Sequence, residues 1–179
     1  MKIAISGKSG CGNSTVTRTV AARLGYECIN YTFKDIAAEQ QMTFEQLSEE
    51  AETDPKWDRH LDREQVKRAR DAGNAVLGSR LAVWVLDDAD LRVYLHAPLE
   101  VRAARIRQRH VEAGEGATDL ATVLADTTER DRRDHDRYQR IYGIDNDNYE
   151  FVDMIIETEN LSPDQIADRI VAAAKSRGG

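Results

Sequence analysis

The glycine-spaced octapeptide Gly7-Lys8-Ser9-Gly10-Cys11-Gly12-Asn13-Ser14 follows the apolar segment Lys2 to Ser6 and precedes a run of helical period. That order of strand, tight loop and helix restricts the chain to folds in which a strand ends beneath a helix N-terminus. The loop matches G-x-x-x-x-G-K-[ST] at both glycines and at Ser14, with Asn13 in the lysine position. In this pattern successive backbone N–H groups curl around phosphate oxygens, the lysine offsets β/γ charge, and the hydroxyl holds Mg²⁺. A helix start adds partial positive charge and unpaired amides at the same place. Gly7, Lys8, Ser9, Gly10, Cys11, Gly12, Asn13, Ser14 and Thr15 are therefore the expected nucleotide-phosphate residues, with Ser14 as the metal residue. The competing reading, a glycine-rich turn without ligand, is weakened by the strand and helix flanks and by Ser14.

The rest of the chain repeats the strand-then-helix rhythm. From Ser14 the apolar residues Val16, Val20 and Leu24 recur at i, i+4 and i+8, and Gly25 supplies a C-terminal stop. Glu27 to Tyr31 reads as a second strand, and Thr32 to about Gly73 as three polar helices, with Pro55 tolerated in the first turn of the last. Asn74 to Leu77, Leu91 to Leu95 and Phe151 to Glu157 read as further strands, apolar on most positions as in a parallel sheet covered on both faces. Arg80 to Leu86 reads as a short helix, and Pro98 opens an arginine-rich helix to about His110. A turn at Gly114 and Gly116 leads into a helix ending near Tyr142-Gly143. Ser162-Pro163-Asp164-Gln165 carries an N-cap, a first-turn proline and a capping box, with Ile166, Ile170 and Ala173 on one face of the helix that follows. Five strands separated by helices predict an α/β fold, a three-layer α/β/α arrangement on a five-stranded parallel sheet. Ligands in such sheets bind beyond the strand carboxyl ends, where Gly7, Tyr31, Gly78 and His96 should meet.

Length and charge narrow the function classes. At 179 residues the chain has material for one domain, residues 1–179, with a real core. The opening residues run straight into the loop, leaving no apolar run for a signal peptide or membrane span, so a cytoplasmic protein without membrane contact is expected. Cys11 and Cys28 form neither a metal spacing nor a disulfide framework. The histidines, His60, His96, His110 and His135, also lack mutual metal-ligand spacing. A net charge of -7 argues against a nucleic-acid surface. Yet Arg102 to Arg140 holds nine arginines and no lysine, a set suited to planar oxyanions. The alternative for each arginine is a solvated helix face paired with residues such as Asp131 and Asp134, and Arg107, Arg132 and Arg140 suit it best. Trp84, within Leu81 to Leu86, reads as core or interface; Trp57, beside Asp58, is open to either a core or a ligand role.

Several stretches together resemble the nucleoside monophosphate kinases, and most closely the cytidylate kinase-like family of P-loop kinases, over nearly the whole chain. They are the opening loop, Tyr31-Thr32-Phe33-Lys34-Asp35-Ile36, Asp58-Arg59-His60-Leu61-Asp62-Arg63, Gly78-Ser79-Arg80-Leu81-Ala82, Ala97-Pro98 through Arg105-Ile106, Arg130 through Arg137, and Leu161-Ser162-Pro163. The resemblance implies a P-loop NTPase fold with a helical acceptor-binding segment at about residues 32–72 and a helical lid at about 105–137. It implies transfer of the ATP γ-phosphoryl group, with Mg²⁺, to a pyrimidine nucleoside monophosphate. Its catalytic set here is Arg105, Arg109, Arg130 and Arg137, to which Lys8 is added as the expected stand-in for the loop lysine; Tyr31, Lys34, Asp35, Asp58, Asp62, Arg63 and Arg80 would hold the acceptor. The expected partners are small-molecule nucleotides, with no nucleic acid, in a monomer or homodimer.

Three positions depart from that family's pattern. Asn13 replaces the loop lysine, Gly78 stands where relatives carry an acid that organises Mg²⁺ waters, and Lys34 stands where many have arginine. A lysine about 4 Å from a phosphate oxygen contributes roughly 4 kcal/mol at an effective dielectric near 20, about three decades of rate if felt wholly in the transition state. Lys8, second in the loop, is the expected replacement, within its own loop or across a dimer. Asp35 and Asp87 are both open as the substitute acid. A binding protein with impaired turnover, and a kinase of AMP, UMP or a shikimate-like acceptor, remain the alternatives; an RNA-binding module is disfavoured by the low pI of about 5.2.

Overall fold

Ile3 and Ile5 point to one side of the first strand and Ala4 to the other, as the period of two requires, and each side meets its own layer of helices. A computed structural model describes residues 1–114 and 118–178. In chain order the elements are β1 (Lys2–Ser6), α1 (Asn13–Leu24), β2 (Glu27–Ile29), α2 (Phe33–Glu39), α3 (Phe44–Thr53) and α4 (Lys56–Ala72). They continue with β3 (Ala75–Gly78), α5 (Ala82–Val85), β4 (Leu91–His96), α6 (Leu99–Glu112), α7 (Leu120–Tyr142), β5 (Met154–Glu157) and α8 (Pro163–Arg177). The strands form one sheet in the order β2-β3-β1-β4-β5, every neighbouring pair parallel. It is the α/β sheet that the strand-then-helix rhythm predicts.

The isoleucines of β1 join Val93 and Leu95 of β4 beneath Val16 and Val20 of α1 and Ile166 and Ile170 of α8. On the opposite face Ala4 and Leu77 meet Ala69 of α4 and Ala82, Val83 and Leu86 around α5. Both faces are therefore dry, which is why the strands carry apolar residues at successive positions. Two further apolar clusters hang on this frame. Tyr31, Ile36, Ala37 and Leu47, with Phe33, Trp57 and Leu61 against them, hold α2, α3 and the start of α4 together. Ala103 and Ile106 of α6 pack with Val123 of α7.

Several boundaries differ from the sequence reading. β2 stops at Ile29, and the Tyr31 carbonyl accepts from Gln65 Nε2 at 2.7 Å instead of a neighbouring strand. β3 is shifted to Ala75–Gly78, which carries the strand to its register partner Ile5. β5 starts only at Met154, because the Val152 amide closes a turn on the Tyr149 carbonyl and Phe151 swings out against Trp84. α5 begins at Ala82 and leaves Arg80 ahead of it; the Val83 amide donates to Ser6 Oγ, fixing this segment over the end of β1. Ser162 accepts from the Gln165 amide as its capping box predicts. The turn at Gly116 lies outside the described residues.

Candidate active site

The loop after β1 is shaped by close approach. A Cβ on Gly7 would lie 2.5 Å from the Leu95 carbonyl oxygen, and one on Gly10, at φ +89°, would lie 2.8 Å from Arg102 Cβ. Only glycine allows β4 and α6 so near. No side chain caps the first turn of α1, so its leading amides are directed at the space above the loop and available to an anion. Ser14 and Thr15 are exposed there, and Cys11 is buried beneath. Asn13 turns back: its Nδ2 donates to the Gly7 carbonyl at 2.6 Å, bracing the loop from inside. The residue in the lysine position is thus a strut and carries no charge to a phosphate.

Lys8 reaches out from the loop and pairs with Asp147 at 2.5 Å. Together with Gly7, Arg80, Tyr94, Asp131, Asp134 and Asn146 it lines one tight cleft. A second, beside it, runs past Lys8, Cys11, Arg102 and Tyr149 to His96. Arg80 forms an ion pair with Asp134, at 3.0 Å. The Arg80 guanidinium in turn depresses the pKa of Arg130, with burial second and Arg109 adding to it. Arg80, Arg109 and Arg130 thus share one neighbourhood, with Asp134 and Tyr138 as the opposing groups. Crowded guanidiniums of this kind repel one another unless an anion joins them, and their forked donors match phosphoryl oxygens.

Arg102 is 5% exposed, and sequence reasoning passed over it. It grips both oxygens of Asp131, at 3.2 and 2.7 Å, and donates to the Ser9 carbonyl at 3.2 Å, so α7 is fastened to the phosphate loop. Asp131, Asp134 and Tyr138 recur at i, i+3 and i+7 of α7, which was the available signal that they share an inward face. They belong to Arg102 and Arg80 across elements. Arg132 is the helix-surface residue expected, paired with Glu129 and Asp136 of its own helix. Arg107 donates to the Thr118 carbonyl and Arg140 weakly to that of Glu52.

Arg105 does not join the guanidinium group. Its donors go to Thr158 Oγ1 at 2.9 Å, the Thr158 carbonyl at 2.6 Å and the Gly10 carbonyl at 3.5 Å, tying the end of β5 to the loop. Arg137 faces the other way along α7, onto Asp58, with Phe33 5.6 Å beneath it. Next to it the Tyr142 hydroxyl donates to Asp62 at 2.5 Å. Burial pushes the Asp62 carboxyl up to about 6, Tyr142 working against that and Asp58 with it. Asp58, Asp62, Arg137 and Tyr142 thus form one polar group between α4 and α7. Arg63 lies beyond it, in a groove with Arg59, Asp62 and Trp84, its Nε on the Arg59 carbonyl.

Other expected acceptor residues are placed differently. Tyr31 is 3% exposed and its hydroxyl donates to Glu39, under Arg68. Asp35 closes the capping box of α2 with Thr32, which holds its carboxyl below the usual range. Lys34 is exposed above Phe44. Trp57 resolves to core, its Nε1 on Glu50. Neither candidate for the missing acid serves: Asp35 is a cap, and Asp87 is held by Arg70 at 2.6 Å on α4. His135 stands within 4.8 Å of Asp145 and Asp147, a grouping that chain spacing did not reveal. Its Nδ1 also lies 3.1 Å from Asn146 Oδ1.

The strand thus feeds a glycine loop whose adjoining clefts carry the Arg80 and Arg102 guanidiniums from two other parts of the chain. The model of the cytidylate kinase-like family matches residues 2–160, and the chain belongs to that family. It is 44% identical over 174 residues to cytidylate kinase 2 of Borreliella burgdorferi, covering 95% of this chain and 93% of that one. It is 35% identical to the cytidylate kinase of Pyrococcus furiosus, covering 96% and 86%. The fold is also that of a shikimate kinase from Bacteroides thetaiotaomicron, with a TM-score of 0.65 over 98% of each chain at 14% identity. Among the described residues no helix is long and apolar enough to cross a membrane.

Proposed function

We propose that the protein transfers the γ-phosphoryl group of ATP to CMP or dCMP, in the cytoplasm, as one domain whose acceptor segment is residues 32–72 and whose lid is residues 105–137. The observation that carries this reading is the place of Arg80, in the cleft lined by Gly7 and Lys8 of the loop, with Arg130 and Arg109 in its electrostatic neighbourhood. Phosphoryl transfer needs positioning and charge neutralisation more than covalent help from the protein. The amides of residues 7–15 cradle the donor phosphates, the guanidiniums hold equatorial oxygens of the migrating group, and Arg80 holds the acceptor phosphate. Asp58 and Asp62 line the acceptor side, where Asp62, about half protonated near pH 6 and more so below it, can donate as well as accept.

Mg²⁺ fits this donor set: Ser14 has an exposed hydroxyl at the start of α1, and a buried Thr17 hydroxyl one turn on lacks a partner. Mg²⁺ is held chiefly by substrate phosphates and its own waters; here the Ser14 hydroxyl would hold it, and it would supply charge neutralisation of the phosphates. The relatives' names support cytidine monophosphates as acceptor, and buried polar pairing at a base gives large discrimination. Binding without efficient turnover is the second reading, favoured by the carboxylates that already occupy Lys8 and Arg80. ATP consumption with CMP, dCMP, UMP or AMP, measured beside calorimetric binding, decides. CMP and dCMP are expected to lead. Preference for AMP overturns the acceptor, and affinity without consumption overturns the kinase.

A further inference from the structure

Thr17 on α1 and Gly78 at the end of β3 fit together so closely that position 78 admits no side chain. A Cβ on Gly78 would lie 2.0 Å from Thr17 Oγ1, 2.8 Å from Thr17 Cβ and 2.9 Å from Thr17 Cγ2. Turning the Thr17 side chain does not relieve the clash, because its Cβ is itself 2.8 Å from that position, and the residue is 3% exposed. Its methyl and hydroxyl occupy the volume that a carboxylate at position 78 would begin to fill.

The hydroxyl itself is the unexplained part. Helical threonines usually donate to the carbonyl four residues back, as Thr19 does to Thr15, Thr127 to Val123 and Thr128 to Leu124. Thr17 Oγ1 is buried and has no partner. Leaving such a group unsatisfied costs about 1–3 kcal/mol, a cost removed when a ligand or its water meets it. Thr17 lies three residues after Ser14, so both hydroxyls share one face of α1, and Gly78 marks the strand end at which ligands bind in parallel sheets. The carboxylates lining the two clefts, Asp131, Asp134 and Asp147, are paired with Arg102, Arg80 and Lys8.

We infer that Thr17 is a positioning residue for the hydrated Mg²⁺ carried with the triphosphate, its hydroxyl holding a metal-bound water in place of a carboxylate from position 78. This rests on the kinase reading above. A neutral hydroxyl orients the water and adds no charge, so the cation enters with the nucleotide and not before it.

The test is calorimetric binding of a non-hydrolysable ATP analogue, with and without Mg²⁺, to the wild type and to Thr17→Val, Thr17→Ala and Thr17→Ser. The Mg²⁺-dependent gain in affinity should fall about tenfold in the valine and alanine variants, the size seen when outer-shell partners of a metal are removed. Serine should retain it, and metal-free affinity should be the same in all four. Thr17→Val should melt at or above the wild type, since it removes a buried orphan; should it fail to fold, the alanine and serine pair carries the comparison. A wild-type gain that persists in the valine and alanine variants overturns the role of Thr17 and leaves the kinase reading standing. A wild type with no Mg²⁺-dependent gain overturns both.

Discussion

Arg137 of α7 donates through Nε at 2.9 Å and Nη2 at 2.5 Å to a single oxygen of Asp58 on α4. Burial drives the Asp58 carboxyl upward and Arg137 opposes it. The pair is largely buried, with side-chain exposures of 22% and 9%, and it joins the proposed lid to the proposed acceptor segment. Removing one partner leaves a buried charge uncompensated, so Arg137→Ala should cost about 3 kcal/mol of stability. It should also lower turnover far more than ATP affinity, because the donor cradle lies elsewhere. Denaturant melts and steady-state kinetics check both; equal losses in turnover and ATP affinity would contradict the placement.

We propose that Lys8 supplies the loop charge that Asn13, in the lysine position, does not. Asn13 braces Gly7, while Lys8 is held by the half-exposed Asp147. Lys8→Ala is expected to lower turnover by about two decades, short of the roughly three that a fully felt charge would give. Asp147→Asn releases Lys8 and should tighten ATP binding by less than about 1 kcal/mol, as partly exposed pairs are weak. Kinetics of the two variants beside Asn13→Lys measure this. An unchanged rate in Lys8→Ala removes Lys8 from the chemistry.

Asp62 gives the protein a pH signature. Its carboxyl is raised by burial from 3.8 to about 6, so the folded chain binds this proton more tightly than the unfolded one. The relative stabilisation is complete below about pH 4 and is lost as pH rises through about 6. Asp62→Asn keeps an acceptor for Tyr142 and should flatten stability between those limits, raising it at pH 7 to 8. Chemical denaturation of both proteins across pH 4 to 8 tests this, and parallel profiles would refute it.

The frame was legible because each strand and helix carries its own local signal. Ile3, Ile5, Val16 and Val20 announce their facing by period alone, and Ser162 and Gln165 announce a helix start. The glycine loop between β1 and α1 was equally plain. Side-chain partners across elements were not. Nothing in chain spacing says that Arg105 turns to Thr158 while Arg102 holds the loop, since both lie on α6 three residues apart and differ only in facing. Tyr31 and Asp35 are expected at the acceptor from the family resemblance, while in the structure the small core of α2 and α3 holds the first and a helix cap the second. The fit of Thr17 to Gly78 needs the sheet and α1 in place before it can be seen.

Single-turnover formation of labelled CDP from γ-labelled ATP and CMP, by the wild type and by Arg130→Ala, tests the central claim that guanidiniums beside the loop neutralise the migrating phosphoryl group. The wild type should form CDP, and Arg130→Ala should slow that step by about a hundredfold or more, the scale of a lost transition-state donor, while binding both nucleotides nearly as before. No CDP from the wild type, or an unchanged step in Arg130→Ala, would contradict it.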